Sequence, residues 1–140
     1  MADFIQVTPD FAVAGQLTEA DFARAKAAGF RAVVNNRPDN EAPGQMTSAD
    51  ARRAAEAAGL AYFDLPVTGS TLRDGVAAAQ AAFGAADGPV LAYCRTGTRS
   101  ISLWALTQAG KRPADEIIGL GRAAGYDLSA LRPALGARQG

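Results

Sequence analysis

The chain's only cysteine, Cys94, is followed by Arg95-Thr96-Gly97-Thr98-Arg99-Ser100, a run whose residue types suit thiolate chemistry. The four residues before it, Val90 to Tyr93, read as a buried strand entered through Gly88-Pro89. From Ser100 onward the pattern is helical, with Leu103, Trp104 and Leu106 on one side. A thiol in the loop between strand and helix faces backbone N–H groups that lack an intrahelical partner, together with the positive end of the helix macrodipole. Both favour the thiolate, and Arg95 and Arg99 add positive charge, so ionisation is expected well below the free value of about 8.5. The same loop amides can converge on a small anion while an arginine fork closes over it. Cys94 and Arg99 are thus the candidate catalytic pair, with Arg95, Thr96, Gly97, Thr98 and Ser100 as the anion-binding loop. The competing reading is a small core cysteine in an ordinary strand-to-helix turn.

Positioning such a loop needs a scaffold, and the pattern supplies alternating elements. Phe4 to Val7 and Phe11 to Ala14 read as an opening hairpin turned at Thr8-Pro9-Asp10. Thr18-Glu19-Ala20-Asp21 fits a capping box, and Leu17, Phe22, Ala25 and Ala28 continue as a helical stripe to Gly29. Phe30 to Asn35 follows as a strand whose Ala32-Val33-Val34 centre suits burial on both faces. A second capped helix runs from Thr47 to Ala58, a strand from Leu60 to Leu65, a third helix from Thr71 to Phe83, and then comes Val90 to Tyr93. The C-terminal third reads as short helices, one starting near Pro113 and another over Leu128 to Leu131, with Ala137 to Gly140 as a loose tail.

This order predicts an α/β, three-layer domain: a mainly parallel central sheet with helices on both faces. Ligands in such sheets gather at the carboxyl ends of the strands. Three loops should meet there: Asn36 to Gln45, Pro66 to Ser70, and Cys94 to Arg99. Within the first, Arg37 either reaches an anionic substrate or pairs with Asp39 or Glu41 to order the loop. Arg52 and Arg53 read as a solvated helix face, and Tyr93 and Trp104 as core beneath the cysteine loop.

A chain of 140 residues suits one domain spanning 1–140, large enough to fold without disulfides. With 14 acidic and 14 basic residues no global field favours nucleic acid or a membrane surface. No apolar run approaches the roughly eighteen residues of a membrane span. Histidine is absent, which together with a single cysteine removes the usual zinc and iron ligand sets, so neither a metal nor another cofactor is expected. One cysteine and no visible secretory signal point to a reducing, cytoplasmic setting. The oligomeric state is not legible.

Several motifs carry a resemblance. Ala14-Gly15-Gln16-Leu17-Thr18, Val33 to Glu41 (VVNNRPDNE), Leu65 to Gly69 (LPVTG) and the cysteine loop occur in the order found in the beta-lactamase hydrolase-like protein, phosphatase-like domain family, DUF442. From Thr8 to Leu120 the chain is similar to that group, which implies a tyrosine/dual-specificity-phosphatase-like fold and a cysteine-dependent phosphatase. The loop itself, CRTGTRS, resembles that of single-domain rhodaneses, which implies sulfur transfer. A phosphatase of this resemblance would carry H-C-x5-R and an aspartic acid in the loop after the proline-valine pair. Here Tyr93 stands in the histidine's place, the arginine comes one residue early, and Gly69 matches the acid position, leaving Asp64 and Asp74 as substitute general acids. Transfer of sulfane sulfur needs no such acid, because sulfite or a stabilised thiolate leaves unprotonated. The sequence reading therefore favours a sulfurtransferase working through a Cys94 persulfide. Its partners would be a small anionic or sulfane-sulfur substrate, a thiol acceptor and a sulfide-oxidising enzyme. A phosphatase acting through phosphocysteine is the alternative, and a non-catalytic anion- or partner-binding domain the third.

Overall fold

In the computed structural model, which describes residues 1–136, the level at which the parallel strands end decides where the site forms. The hairpin is β1 (Ile5–Thr8) against β2 (Phe11–Ala14); β3 is Ala32–Asn35, β4 Ala61–Asp64 and β5 Val90–Tyr93. They form one sheet in the order β1-β2-β5-β3-β4, antiparallel only at the hairpin. Ala14 and Asn35 both lie beside Tyr93, and Asp64 lies beside Asn35, so four parallel strands finish level. Their following loops therefore share one edge, as expected of an open parallel sheet.

Every residue of β2, β3 and β5 is buried. Alternate side chains serve opposite faces. Ala14, Val33, Leu91 and Tyr93 pack against α1 (Glu19–Ala27) and α2 (Ser48–Ala57) through Phe22 and Ala51. Val13, Val34 and Ala92 face α4 (Thr98–Gln108) and α5 (Ala114–Ala123) through Ile101 and Ile117, with Phe11 stacked on Trp104 at 5.5 Å. A smaller cluster of Val67, Ala79 and Leu103 seats α3 (Val76–Ala85) beside α4.

The capping box before α1 forms around a fully buried Asp21. Its Oδ2 accepts the Thr18 N–H at 2.8 Å, the Thr18 hydroxyl at 3.0 Å and the Ala2 N–H at 3.1 Å, while Oδ1 accepts Arg24. Burial pushes this carboxyl up, and these hydrogen bonds outweigh it, leaving Asp21 below the ordinary carboxylate range. Thr47 caps α2 by accepting the Asp50 N–H, and Asp39 accepts the Ser48 N–H.

Four expectations change. The cysteine-loop helix starts at Thr98, two residues before Ser100. It is buried on all sides from Ser100 to Thr107, because α3, α5 and the sheet enclose it. The predicted third helix opens with a separate 3-10 turn, Arg73–Gly75. There the Thr71 hydroxyl accepts the Thr68 N–H at 2.8 Å, so Thr71 belongs to the preceding turn and does not cap the helix. Leu128–Leu131 is a 3-10 turn over Ser129–Leu131 leading into α6 (Arg132–Gly136), and the tail Ala137 to Gly140 lies outside the described residues. No helix among the described residues is long and apolar enough to cross a membrane.

Candidate active site

Cys94 directly follows β5 with 1% of its surface exposed, and its loop curls back over the sulfur. The Gly97 N–H donates to Sγ at 3.1 Å. Gly97 reaches this position with φ +91°, a conformation side chains resist, and an added Cβ would lie 2.3 Å from the Tyr126 hydroxyl. Its carbonyl then opens α4 by accepting the Ile101 N–H at 3.0 Å. The sulfur thus sits at the start of an eleven-residue helix, the electrostatic setting that favours an anion.

Arg99, in the first turn of α4, is held by a neighbouring loop. Nη1 donates to Glu41 Oε2 at 2.7 Å and to the Val67 carbonyl at 3.0 Å, and Nη2 donates to Glu41 Oε1 at 2.8 Å. A guanidinium has five N–H donors. These bonds leave Nε–H and one Nη2–H, an edge able to hold two oxygens of an anion. The Glu41 hydrogen bonds hold Arg99 above its ordinary pKa, and the nearby Cys94 adds to this.

Arg37 does not aim at the crevice as a free cation. It is buried, with Nε donating to Glu41 Oε1 at 3.0 Å and Nη1 to Gln16 Oε1 at 3.0 Å. Of the two readings left open, pairing with Glu41 is the one observed, and Asp39 is spent on α2. Hydrogen bonds from Arg99 first, and from Arg37, pull the Glu41 carboxyl down to about 2. Glu41 is therefore an anion at neutral pH that orients two arginines.

The remaining candidates separate. Arg95 is exposed, and its carbonyl accepts the Gln16 N–H at 3.3 Å, which ties the loop to the residues after β2. Thr96 and Thr98 lie exposed on the loop with their hydroxyls 3.1 Å apart. Ser100 points inward instead: its hydroxyl donates to Asn36 Oδ1 at 2.9 Å, and Asn36 Nδ2 donates to the Leu65 carbonyl at 2.9 Å. That chain ties α4, β3 and the loop after β4 together, and gives Ser100 a structural bond rather than a free hydroxyl. Asp64 and Asp74 are exposed and line a shallow depression of about 240 Å³ with Pro66, Val67 and Thr71, and neither bonds to Arg99 or to the cysteine loop. Tyr93 and Trp104 are core, as expected, and Arg52 lies 4.8 Å over the Tyr62 ring while Arg53 pairs with Asp50.

Sequence reasoning did not single out Gln16, Asn36, Glu41 or Tyr126 as site residues. The first three lie inside the motifs that carried the resemblance, and their polar types in the loops after β2 and β3 were the available signal. Tyr126, whose hydroxyl donates to the Thr96 carbonyl at 2.9 Å, had none.

A thiol floor, a loop amide on the sulfur and a fork beside it with two donors not taken by protein oxygens form a site suited to attack on a small, exposed anionic group. The family model for the beta-lactamase hydrolase-like protein, phosphatase-like domain matches residues 3–111. The chain belongs to this family. The beta-lactamase hydrolase-like protein of Agrobacterium fabrum (strain C58) is 37% identical over 129 residues, 90% of this chain, and that of Xylella fastidiosa (strain Temecula1) is 35% identical over 127 residues, 89% of it. The chain spans 30% of the length of these curated relatives. A phosphatase candidate from Neisseria meningitidis Z2491 superposes with a TM-score of 0.83 at 35% identity, covering 96% of each chain. PTPMT1, at 15% identity and a TM-score of 0.63 over 97% of this chain and 96% of its own, shares the fold. The phosphatase-like domain thus has the tyrosine/dual-specificity-phosphatase-like architecture expected of it. The comparisons point to a phosphatase-like enzyme, and nothing in them supports the sulfurtransferase that the loop suggested.

Proposed function

We propose that this phosphatase-like domain is a cysteine-dependent phosphomonoesterase. Cys94 Sγ attacks the phosphorus of an ester whose oxygens are held by the loop amides and Arg99, and the P–O bond to the leaving group breaks with its electron pair. Water then attacks the phosphocysteine, the S–P bond breaks, and thiolate and inorganic phosphate are released. The observation that supports this reading best is the Gly97 N–H on Sγ beside an arginine with two donors not taken by protein oxygens. Family membership supports it independently.

Among the described residues no protonated acid is bonded to the cysteine loop or to Arg99, where it would face the leaving group. Glu41, held down to about 2, is ionised, and Asp64 and Asp74 make no bond to the loop or its arginine. General acid catalysis is worth typically 10²–10⁴-fold, so esters of acidic phenols, which leave as anions, are the substrate class that fits.

One observation favours a second reading. Four residues, not five, separate Cys94 from Arg99, which encloses a smaller space and suits a terminal sulfur atom. In that reaction the thiolate takes the outer sulfur of thiosulfate, sulfite leaves with the S–S bonding pair, and the Cys94 persulfide passes its sulfur to a thiol acceptor. A sulfide-oxidising enzyme in the same cytoplasmic setting would be the partner. Turnover of an aryl phosphate, a phosphoserine peptide and thiosulfate, each with wild type and Cys94→Ser, separates the two. Aryl phosphate hydrolysis lost in Cys94→Ser, with no sulfite release from thiosulfate, is the expected result. Sulfite release with inert aryl phosphate would replace the proposal with the second reading.

A further inference from the structure

The segment after α5 reaches back onto the cysteine loop, although it lies beyond residues 3–111 that the family model matches. Its placement follows from how α5 stops. Gly125 adopts φ +95°, the Gly125 N–H donates to the Arg122 carbonyl at 3.0 Å and the Tyr126 N–H to the Gly121 carbonyl at 2.8 Å. This pair of bonds is a Schellman cap, which reverses the chain and aims the next residue back along the helix. The half-buried Tyr126 thereby lays its ring toward the loop, and its hydroxyl donates to the Thr96 carbonyl at 2.9 Å.

That carbonyl belongs to the same peptide group as the Gly97 N–H, which donates to Cys94 Sγ at 3.1 Å. A trans peptide is planar, with its C=O and N–H pointing in opposite directions. Fixing one end therefore aims the other. We propose that Tyr126 is a positioning residue for the nucleophile, holding the Thr96–Gly97 peptide in the one orientation that presents an N–H to the Cys94 sulfur. Rotation of that peptide by half a turn would instead present a carbonyl oxygen to the thiolate and repel it. Gly97 completes the arrangement, because any side chain there would meet the Tyr126 hydroxyl at 2.3 Å. The phenol suits the task as a neutral donor: burial, and then the Cys94 charge, push its pKa up. The charged and titratable groups linked to Cys94 are Arg99 on α4, Tyr126 after α5 and, through Arg99, Glu41 and Arg37 on the loop after β3.

The inference rests on Cys94 being the nucleophile and is independent of the group it attacks, so its test uses no substrate. Alkylation of Cys94 by iodoacetamide is followed against pH in wild type and Tyr126→Phe, which keeps the ring and its packing. A thermal melt confirms that the variant is folded. Loss of one hydrogen bond to the peptide should slow alkylation at neutral pH roughly three- to tenfold and move the midpoint upward. The Gly97 amide resonance should also shift as Cys94 titrates in wild type and lose most of that response in Tyr126→Phe. A variant with the wild-type alkylation profile overturns the inference, whether or not its melting temperature falls. So does a Gly97 amide that ignores the titration in wild type.

Discussion

Replacing Glu41 by glutamine removes the one charge on which two arginines converge. In the native protein the carboxylate accepts Arg99 through both oxygens at 2.7 and 2.8 Å and Arg37 at 3.0 Å, with the Arg37 side chain only 6% exposed and that of Arg99 19%. Glutamine keeps one acceptor and turns an NH2 toward guanidinium donors, so at least one charge-assisted bond is lost and one N–H is left facing another. Hydrogen bonds to charged groups contribute about 1.5–3 kcal/mol each, and the partial exposure of Glu41 puts the total nearer the lower end, so a loss of about 2–3 kcal/mol is expected in urea unfolding at neutral pH. The consequence for the site is larger than for the fold, because Arg99 loses the contact that turns its free edge inward. Turnover on an aryl phosphate should fall about 10- to 100-fold, a loss of positioning.

The pH dependence provides a second reading of the same variant. The Glu41 carboxyl titrates at about 2 in the folded protein, below its ordinary range. Its contribution is therefore fully present above the unfolded carboxyl's pKa of about 4.3 and is lost as pH falls through the folded value. Wild type should lose its advantage over Glu41→Gln between those limits. A variant within about 0.5 kcal/mol of wild type at pH 7, with unchanged turnover, would refute the reasoning and make the carboxylate a bystander.

Other substitutions probe the same account. Arg99→Lys should lose most activity while staying folded, because a point charge cannot serve Glu41, Val67 and an anion together; Arg95→Ala should keep most of it, and turnover of both variants on an aryl phosphate checks this. Gly97→Ala combines a φ of +91° with a 2.3 Å approach to the Tyr126 hydroxyl, and should cost more than about 1 kcal/mol in a denaturant melt and most of the turnover. Asp64→Asn and Asp74→Asn should leave hydrolysis of aryl phosphates within about twofold of wild type. Collapse of phosphopeptide hydrolysis in either one would identify a proton donor.

The scaffold was legible because its signals are local. β2 and β5 fall where their apolar runs predict, and Thr18, Thr47 and Gly29 punctuate α1 and α2 as read. The errors came where tertiary contacts overrule pattern. Thr71 is drawn to the Thr68 N–H, and α4 is buried on all sides from Ser100 to Thr107, so no amphipathic stripe marks its extent. Cys94 and Arg99 were readable from type and spacing, yet Arg37 looked equally suited to substrate or to loop. Its partners, Glu41 four residues on and Gln16 on another element, decided between them. Ser100 belonged to the loop by sequence but to Asn36 by contact, 64 positions away. Tyr126 was invisible for the same reason: only the Schellman cap brings it back 30 positions to Thr96.

The most direct test of the central claim is the intact mass of the protein quenched in acid during turnover of an aryl phosphate, with Cys94→Ser alongside. The account predicts a wild-type fraction heavier by one phosphoryl group, mapped by fragmentation to Cys94 and absent from the serine variant. Hydrolysis that continues in Cys94→Ser would contradict it. So would a Cys94 that gains no phosphoryl group yet takes up a single sulfur atom from thiosulfate.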